Sequence, residues 1–138
     1  MRSSSLKTTT IRQKAVVPAP PDAVYEAFMN PKLHTRVTGS KATGSNRVGG
    51  RFTAWGGYIK AKNLKLEKGR KIVQAWETVE WPKNYPPSTL ELTFKPTAGG
   101  TEISMVQSKV PSRAAKDCRA GWPDAYWKPL SEYFGSKK

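Results

Sequence analysis

The stretch that decides the fold is GWPDAYWKPLSEYF, residues 121–134, because no other segment combines a helical period with so much aromatic bulk. Its large apolar residues recur at intervals of four, seven, eight and eleven from the first, which puts them on one face of a helix. They are Trp122, Tyr126, Pro129, Leu130 and Tyr133. Because a proline inside a helix removes a hydrogen bond, Pro129 predicts a kink or a restart near Lys128.

Most of the remaining chain alternates apolar and polar residues, which is the period of a half-buried β-strand. The runs with this pattern are Thr8–Val17, Arg51–Trp55, Tyr58–Glu67, Lys71–Val79, Ser88–Lys95 and Thr101–Val110. Short glycine turns between them predict an antiparallel meander. Lys71–Val79 is expected to be central, because both of its faces carry apolar residues. The alternation breaks inside Tyr58–Glu67, which predicts a β-bulge near Lys62–Asn63.

Two short helices are predicted after the first strand, one starting at a proline pair before Asp22 and one capped by Asn30. His34 lies one step off the apolar face of the second helix, so we expect a partly exposed packing residue rather than a ligand. The polar segment Ser112–Ala120 is expected to form one helical turn or a loop. The predicted class is α+β: a curved antiparallel sheet of six to seven strands around a long C-terminal helix.

The length of 138 residues suits one domain whose core needs neither disulfides nor metals. We predict a single domain over residues 1–138, with residues 1–6 flexible. Cys118 is the only cysteine, which excludes an internal disulfide and suits a reducing, cytoplasmic compartment. The basic segment Met1–Ala19 also resembles a mitochondrial presequence, although Ile11 and Val17 alternate with polar residues as in a strand.

Catalysis is not expected, because the groups that would perform it are missing or far apart. A nucleophile–base pair needs a histidine beside a serine or cysteine, and His34 is the only histidine. Glu77 and Glu80 are three residues apart in a strand, which puts them on opposite faces. We therefore predict no enzyme, no catalytic residue, no metal site and no cofactor. No apolar run approaches the roughly 18 residues that a membrane span requires.

Lysine and arginine side chains cluster between residues 60 and 71, in a chain whose formal net charge is +14. The cluster consists of Lys60, Lys62, Lys65, Lys68, Arg70 and Lys71. It is either a solvated edge that prevents pairing with other chains, or an electropositive surface for an acidic partner. Nucleic acid is disfavoured, because base stacking needs interleaved aromatic residues and only Tyr58, just before Lys60, adjoins the cluster.

The large aromatic residues have two interpretations. Trp55, Trp76 and Trp122 are expected either to fill the core or to line a pocket for a small apolar molecule under the C-terminal helix. Tyr126 and Leu130 would complete the lining of such a pocket. A continuous cavity of roughly 300 Å³ or more favours the ligand site, whereas a fully packed interior counts against it.

Short motifs along the chain resemble those of a known family. They are Pro21 with Val24–Phe28, Val37–Ser40, Gly49–Phe52, Gly57–Ile59, Lys71–Trp76, Trp81–Pro82, Leu90–Phe94, Gly100–Ile103, Val110–Pro111, Gly121–Trp122 and Tyr126–Trp127. In this order, from about Lys7 to Gly135, they resemble the C-terminal domain of the activator of the 90-kDa heat-shock protein ATPase. That family lies within the helix-grip, Bet v 1-like and START-like superfamily.

The resemblance implies a co-chaperone of the stress response that binds the 90-kDa heat-shock protein and favours its closed, ATPase-competent state. The basic cluster would then contact an acidic surface of the chaperone. Full-length members carry an additional N-terminal domain that makes most of the middle-domain contact, and no stretch of these 138 residues corresponds to it. Strong independent stimulation by this domain is therefore not expected. Other single-domain members of the superfamily bind small molecules, so a carrier or sensor of an apolar ligand is the alternative.

Overall fold

Seven strands and four α-helices are present in a computed structural model that describes residues 7–82 and 84–135. The strands are β1 (Thr8–Val17), β2 (Thr43–Gly44), β3 (Arg51–Ala54), β4 (Ile59–Glu67), β5 (Lys71–Thr78), β6 (Ser88–Thr97) and β7 (Gly100–Pro111). The helices are α1 (Pro21–Met29), α2 (Pro31–Thr38), α3 (Ser112–Trp122) and α4 (Lys128–Gly135). Residues 1–6, for which flexibility is predicted, lie outside the described part.

The sheet has the order β1-β7-β6-β5-β4-β3-β2, and each pair of neighbours is antiparallel. This confirms the α+β helix-grip prediction and places β5 in the centre, as expected from its two apolar faces. The bulge in β4 falls between Asn63 and Lys65, one residue beyond the predicted place. It turns Leu64 outward, and 46% of that residue is exposed.

Local sequence signals explain the two short helices between β1 and β2. Pro21 occupies the first turn of α1. Backbone N–H groups in the first turn have no acceptor within the helix, so the missing N–H of proline costs no hydrogen bond there. The Oδ1 atom of Asn30 accepts hydrogen bonds from the N–H groups of Lys32 and Leu33, at 3.0 and 3.3 Å, and so caps α2. Gly39 ends α2 with a left-handed φ of +79°, a conformation that glycine adopts without strain.

The C-terminal helix is longer than predicted, because residues 112–120 are helical rather than a turn or a loop. The reason is a second apolar face: Ala115 is buried, Cys118 is half-buried and Trp122 is buried, at spacings of three and four. A wide π-helical turn over Pro123–Trp127 then joins α3 to α4. The α-helix restarts at Lys128, as predicted. The wide turn before it reduces the clash between the ring of Pro129 and the backbone carbonyl of the preceding helical turn.

A chain of buried polar contacts joins this helix to the sheet. Gln107 lies on the inner face of β7 and is 0% exposed. Its Oε1 atom accepts the indole N–H of Trp122 at 2.9 Å, and its Nε2 atom donates to Ser88 Oγ at 3.1 Å. The Ser88 hydroxyl donates in turn to the carbonyl oxygen of Trp76 at 2.6 Å. The buried polar side-chain atoms of Gln107, Ser88 and Trp122 therefore all have partners, which holds the helix at one position over β5, β6 and β7.

His34 is buried, so the expectation of a partly exposed residue is wrong. The residue is 4% exposed and faces the core together with Val37, while Leu33 is only half-buried. His34 Nδ1 lies 3.0 Å from the carbonyl oxygen of Phe28, and Nε2 lies 2.9 Å from the hydroxyl of Tyr126. Because a carbonyl only accepts, Nδ1 carries a proton, and because burial disfavours a second, charging proton, Nε2 accepts the Tyr126 O–H. The imidazole is thus neutral and connects α1 and α2 to the C-terminal helix.

Acidification is expected to destabilise the fold through His34. Burial lowers the pKa of His34 below 6.5, against a smaller opposing effect of its bond to Phe28. Below pH 6.5 the unfolded chain therefore binds a proton that the folded chain does not, and stability falls as the pH falls. Between pH 7.5 and 5.5 one such group lowers the free energy of unfolding by up to about 1.4 kcal/mol. Urea titrations at both pH values measure the difference.

The control variant is His34→Gln, whose amide keeps one donor for Phe28 and one acceptor for Tyr126 but does not titrate. Its free energy of unfolding is expected to change less between the two pH values than that of the natural chain. An equal change in both proteins would mean that another group carries the pH dependence.

Candidate functional site

The six predicted cations form one surface, called here the basic strip, on β4, β5 and the turn between them. It comprises Lys60, Lys62, Lys65, Lys68, Arg70 and Lys71. Ile59 and Asn63 are buried on the inner face of β4, so Lys60 and Lys62 point outward between them. The register of β3 places Arg51 directly opposite Lys62, which adds a seventh cation that the sequence pattern did not reveal.

Carboxylates neutralise only part of the basic strip. Glu67 pairs with Lys65 at 3.2 Å and with Arg70 at 3.9 Å, and Glu91 pairs with Lys71 at 3.1 Å. The hydrogen bond from Lys65 lowers the pKa of Glu67 below its ordinary value. Within residues 7–82 and 84–135, the ammonium groups of the other three lysines form no ion pair; these are Lys60, Lys62 and Lys68.

Edge protection does not explain Lys60 and Lys62. The segment that carries them is paired on one side with β3 and on the other with β5, so it has no free edge to protect. Their positive charges therefore face solvent from the interior of the sheet. A surface of this kind is suited to an acidic partner, because it is held by two neighbouring strands and incompletely neutralised.

A groove of about 830 Å³ lies between the C-terminal helix and the ends of β4 and β5. This volume exceeds the roughly 300 Å³ that distinguishes a ligand pocket from a packed core. Its aromatic lining consists of Trp55, Tyr58, Trp76, Trp81, Trp122 and Tyr126, and this groove is called here the aromatic groove. The ring centroids of Trp76 and Trp81 are 5.6 Å apart, and those of Trp76 and Trp122 are 5.7 Å apart.

The structure brings four of the five predicted pocket residues together. Trp55, Trp76, Trp122 and Tyr126 line the groove, whereas Leu130 is 1% exposed and belongs to the core. The wide turn at Pro123–Trp127 separates Tyr126 from Leu130 and changes the phase of the helix between them. Trp81 and Tyr58 also line the groove. The alternation of apolar and polar residues did not predict this, because Tyr58 precedes β4 and Trp81 follows β5.

Trp55 is the strained residue of the groove. Its φ of +53° is in the left-handed region, which is rare for a bulky side chain and costs of order 1–3 kcal/mol. Its indole N–H is the one buried side-chain donor without a partner in the described part of the chain. Burial raises the pKa of Tyr126, and the nearby indole of Trp55 opposes this rise, although the two groups lack hydrogen-bond geometry.

The thiol of Cys118 is expected to react slowly. Cys118 lines the groove and donates to Gln107 Oε1 at 3.3 Å, and burial raises its pKa to about 11. The thiolate is the reactive form of cysteine. A thiol pKa of about 11 instead of 9.0 therefore lowers the rate with Ellman's reagent at pH 8 about hundredfold relative to a free thiol. Absorbance at 412 nm before and after unfolding in urea measures the ratio, and the single cysteine makes the signal unambiguous. Equal rates would mean that the thiol is exposed.

Residues 7–82 and 84–135 contain no group of three or more histidine, cysteine, aspartate or glutamate side chains placed to hold a metal ion. None of the helices in these ranges has the length and the apolar character that crossing a lipid bilayer requires.

A family model and several curated proteins match this chain. A family model described as "Activator of Hsp90 ATPase homolog 1-like protein" matches residues 18–135. The "Activator of 90 kDa heat shock protein ATPase homolog" of Dictyostelium discoideum is 32% identical over 119 residues, which cover 83% of this chain and 30% of that protein. The human homolog 1 of the same name is 27% identical over 130 residues, covering 94% of this chain and 38% of that protein.

Among solved structures, an HSP90 activator from Plasmodium falciparum superimposes with a TM-score of 0.79. The alignment covers 93% of this chain and 96% of the other, at 22% identity, and so concerns the fold alone. The chain spans about a third of the length of the curated relatives it matches.

Proposed function

Because the chain belongs to the family of Activator of Hsp90 ATPase homolog 1-like proteins, we propose that it binds the 90-kDa heat-shock protein and modulates its ATPase. It does so as a binding domain without catalysis of its own, in the cytoplasm. The relatives named as activators are the source of this proposal, and the matching region is residues 18–135.

The observation that carries the proposal is the basic strip. Lys60, Lys62 and Arg51 present positive charge from strands paired on both sides, and Lys60 and Lys62 lack ion-pair partners in the described chain. Attraction to an acidic surface of the chaperone would raise the association rate and would weaken as salt is added. Stimulation further requires tighter binding to the closed state than to the open state, because equal affinity shifts no population.

The decisive experiment measures ATP turnover by the purified chaperone with increasing amounts of this chain. A saturable change in turnover is expected, together with tighter binding when a non-hydrolysable ATP analogue holds the chaperone closed. An unrelated basic protein of similar net charge is the control for non-specific attraction. If calorimetry detects no binding to either state, or the control protein binds equally well, the proposal is wrong.

The second candidate function is that of a carrier or sensor of a small apolar molecule. The aromatic groove supports it, because its volume of about 830 Å³ is in the range of ligand pockets and four tryptophans contribute to its walls. This function does not compete with chaperone binding for space. The groove lies beneath the C-terminal helix, and the basic strip lies on the outer face of the sheet.

A filling substitution tests the groove. Ala114 lines it from α3, so Ala114→Phe is expected to occupy the groove and lower the affinity for the neutral probe N-phenyl-1-naphthylamine at least tenfold. Probe fluorescence measures binding. Ala120→Phe is the matched control, since Ala120 is an exposed alanine of the same helix outside the groove. Equal binding by both variants would place the probe elsewhere.

A further inference from the structure

The charged residues that line the aromatic groove are mainly acidic, whereas the chain as a whole is strongly basic. The chain has 24 basic and 10 acidic residues, yet the residues that line the groove include three carboxylates and one guanidinium. The carboxylates are those of Glu80, Asp117 and Asp124, and the guanidinium is that of Arg113. Nearly a third of the acidic residues thus border a single groove on an otherwise basic protein.

These carboxylates remain available to a ligand. Arg113 and Asp117 are one helical turn apart but form no ion pair within the described residues. Asp124 pairs with Lys128 at 3.3 Å, but both side chains are at least 70% exposed, and water leaves such a pair with little net attraction. Glu80 accepts the hydroxyl of Tyr58 at 2.6 Å, which orients its carboxylate at the mouth of the groove.

The walls next to these carboxylates favour the same sign of charge. Half-buried Trp81 lines the groove beside the more buried Trp76 and Trp122, and the face of an indole attracts a cation within about 6 Å of its centre. The three carboxylates would repel an anion, and they would gain no electrostatic attraction from a wholly neutral molecule. Arg113 and Lys128 lie next to these carboxylates, whereas the field of more distant positive charges is screened over about 8 Å at physiological ionic strength.

We propose that the aromatic groove binds a small hydrophobic ammonium ion. Its apolar body packs against Trp76, Trp81 and Trp122, and its charged head lies near Asp117, Asp124 and Glu80. The proposal rests on the second candidate function above, that the groove is a ligand site, and adds the chemical class of the ligand. It is independent of chaperone binding by the basic strip.

Three probes of nearly equal shape separate the class of ligand from the existence of the site. They are 2-naphthylmethyl-trimethylammonium, its neutral carbon isostere 2-neopentylnaphthalene, and the anion 2-naphthylacetate. The cation is expected to bind about tenfold more tightly than the neutral isostere, and the anion more weakly than both. Isothermal calorimetry gives the affinities, and shifts of the indole N–H signals in NMR locate the probe.

The outcomes distinguish the two claims. If the neutral isostere binds as tightly as the cation, the groove is a ligand site but the ammonium class is wrong. If none of the three probes binds, both the ammonium proposal and the ligand function of the groove are wrong.

Neutralising the mouth of the groove gives a second test. The double variant Asp117→Asn with Asp124→Asn is expected to lower the affinity for the cation about fivefold to tenfold and to leave the neutral isostere unaffected. The matched control is Asp22→Asn with Glu132→Gln, which makes the same change in net charge at exposed positions outside the groove. Retention of full cation affinity in the groove variant, or an equal loss in the control, would overturn the proposal.

Discussion

Replacing Trp122 by alanine is expected to lower the free energy of unfolding by about 3–5 kcal/mol. Trp122 is 3% exposed, and its ring centroid lies 5.1 to 5.7 Å from those of Trp76, Tyr126 and Trp127. Its removal leaves a large cavity at the junction of helix and sheet, and it deprives Gln107 of a donor at 2.9 Å. Since a domain of this size has a margin of about 5–15 kcal/mol, the loss approaches global unfolding.

Trp122→Phe separates packing from hydrogen bonding. Phenylalanine keeps an aromatic ring in the cavity but lacks the indole N–H, so Gln107 Oε1 retains only the weak thiol donor of Cys118. A loss of about 1–3 kcal/mol is expected, mainly for the unsatisfied buried acceptor. Urea unfolding followed by circular dichroism measures both variants. If Trp122→Ala lowers the free energy of unfolding no more than Trp122→Phe does, the packing of the Trp122 ring does not stabilise the junction of helix and sheet.

Charge reversal of the basic strip is expected to weaken binding to the 90-kDa heat-shock protein about tenfold to hundredfold at low salt. The variant carries Lys60→Glu, Lys62→Glu and Lys65→Glu, and it places three negative charges where the attraction is proposed to act. The salt dependence of the affinity should become flatter, because fewer attractive charges remain to be screened. Calorimetry at several salt concentrations measures both quantities, and ATP turnover by the chaperone should lose its response in parallel.

The control for charge reversal changes the same number of lysines elsewhere. Lys32, Lys41 and Lys116 are exposed, and they belong to α2, the loop after α2 and α3 rather than to β4 or β5. Their replacement by glutamate alters the net charge equally, so bulk electrostatics falls by the same amount. Near-natural affinity is expected for this control. Equal weakening in both triple variants would show that total charge, rather than the basic strip, determines binding.

Much of the fold was predictable because strands and helices are encoded by local periods. The inward residues of β6, Leu90, Leu92 and Phe94, follow strict alternation and are all buried. Asn30 marks the start of α2 by its own side chain. The helix over residues 112–122 was not predicted. Its apolar face consists of small residues before Trp122, so its helical period was less evident than the many polar residues around it.

The candidate sites were predictable only in part. The six cations of the basic strip stand close together in the chain, and alternation alone turns Lys60 and Lys62 outward. Arg51 joins them through strand register, which no local signal specifies. Among the residues that line the aromatic groove, Trp81 lies in a loop and Asp117 on a helix, so nothing in their own neighbourhoods links the two.

The sequence by itself therefore determined the alternating strands, the capped helices, the aromatic closing face and the excess of positive charge, since each depends on neighbours within about one turn or one strand. Only the tertiary structure decided that His34 is neutral and buried against Tyr126, that Gln107 holds Trp122, and that carboxylates gather at the mouth of an aromatic groove. These contacts join residues distant in the chain. Their geometry follows from how the long helix, with its wide turn at Pro123–Trp127, lies across the sheet.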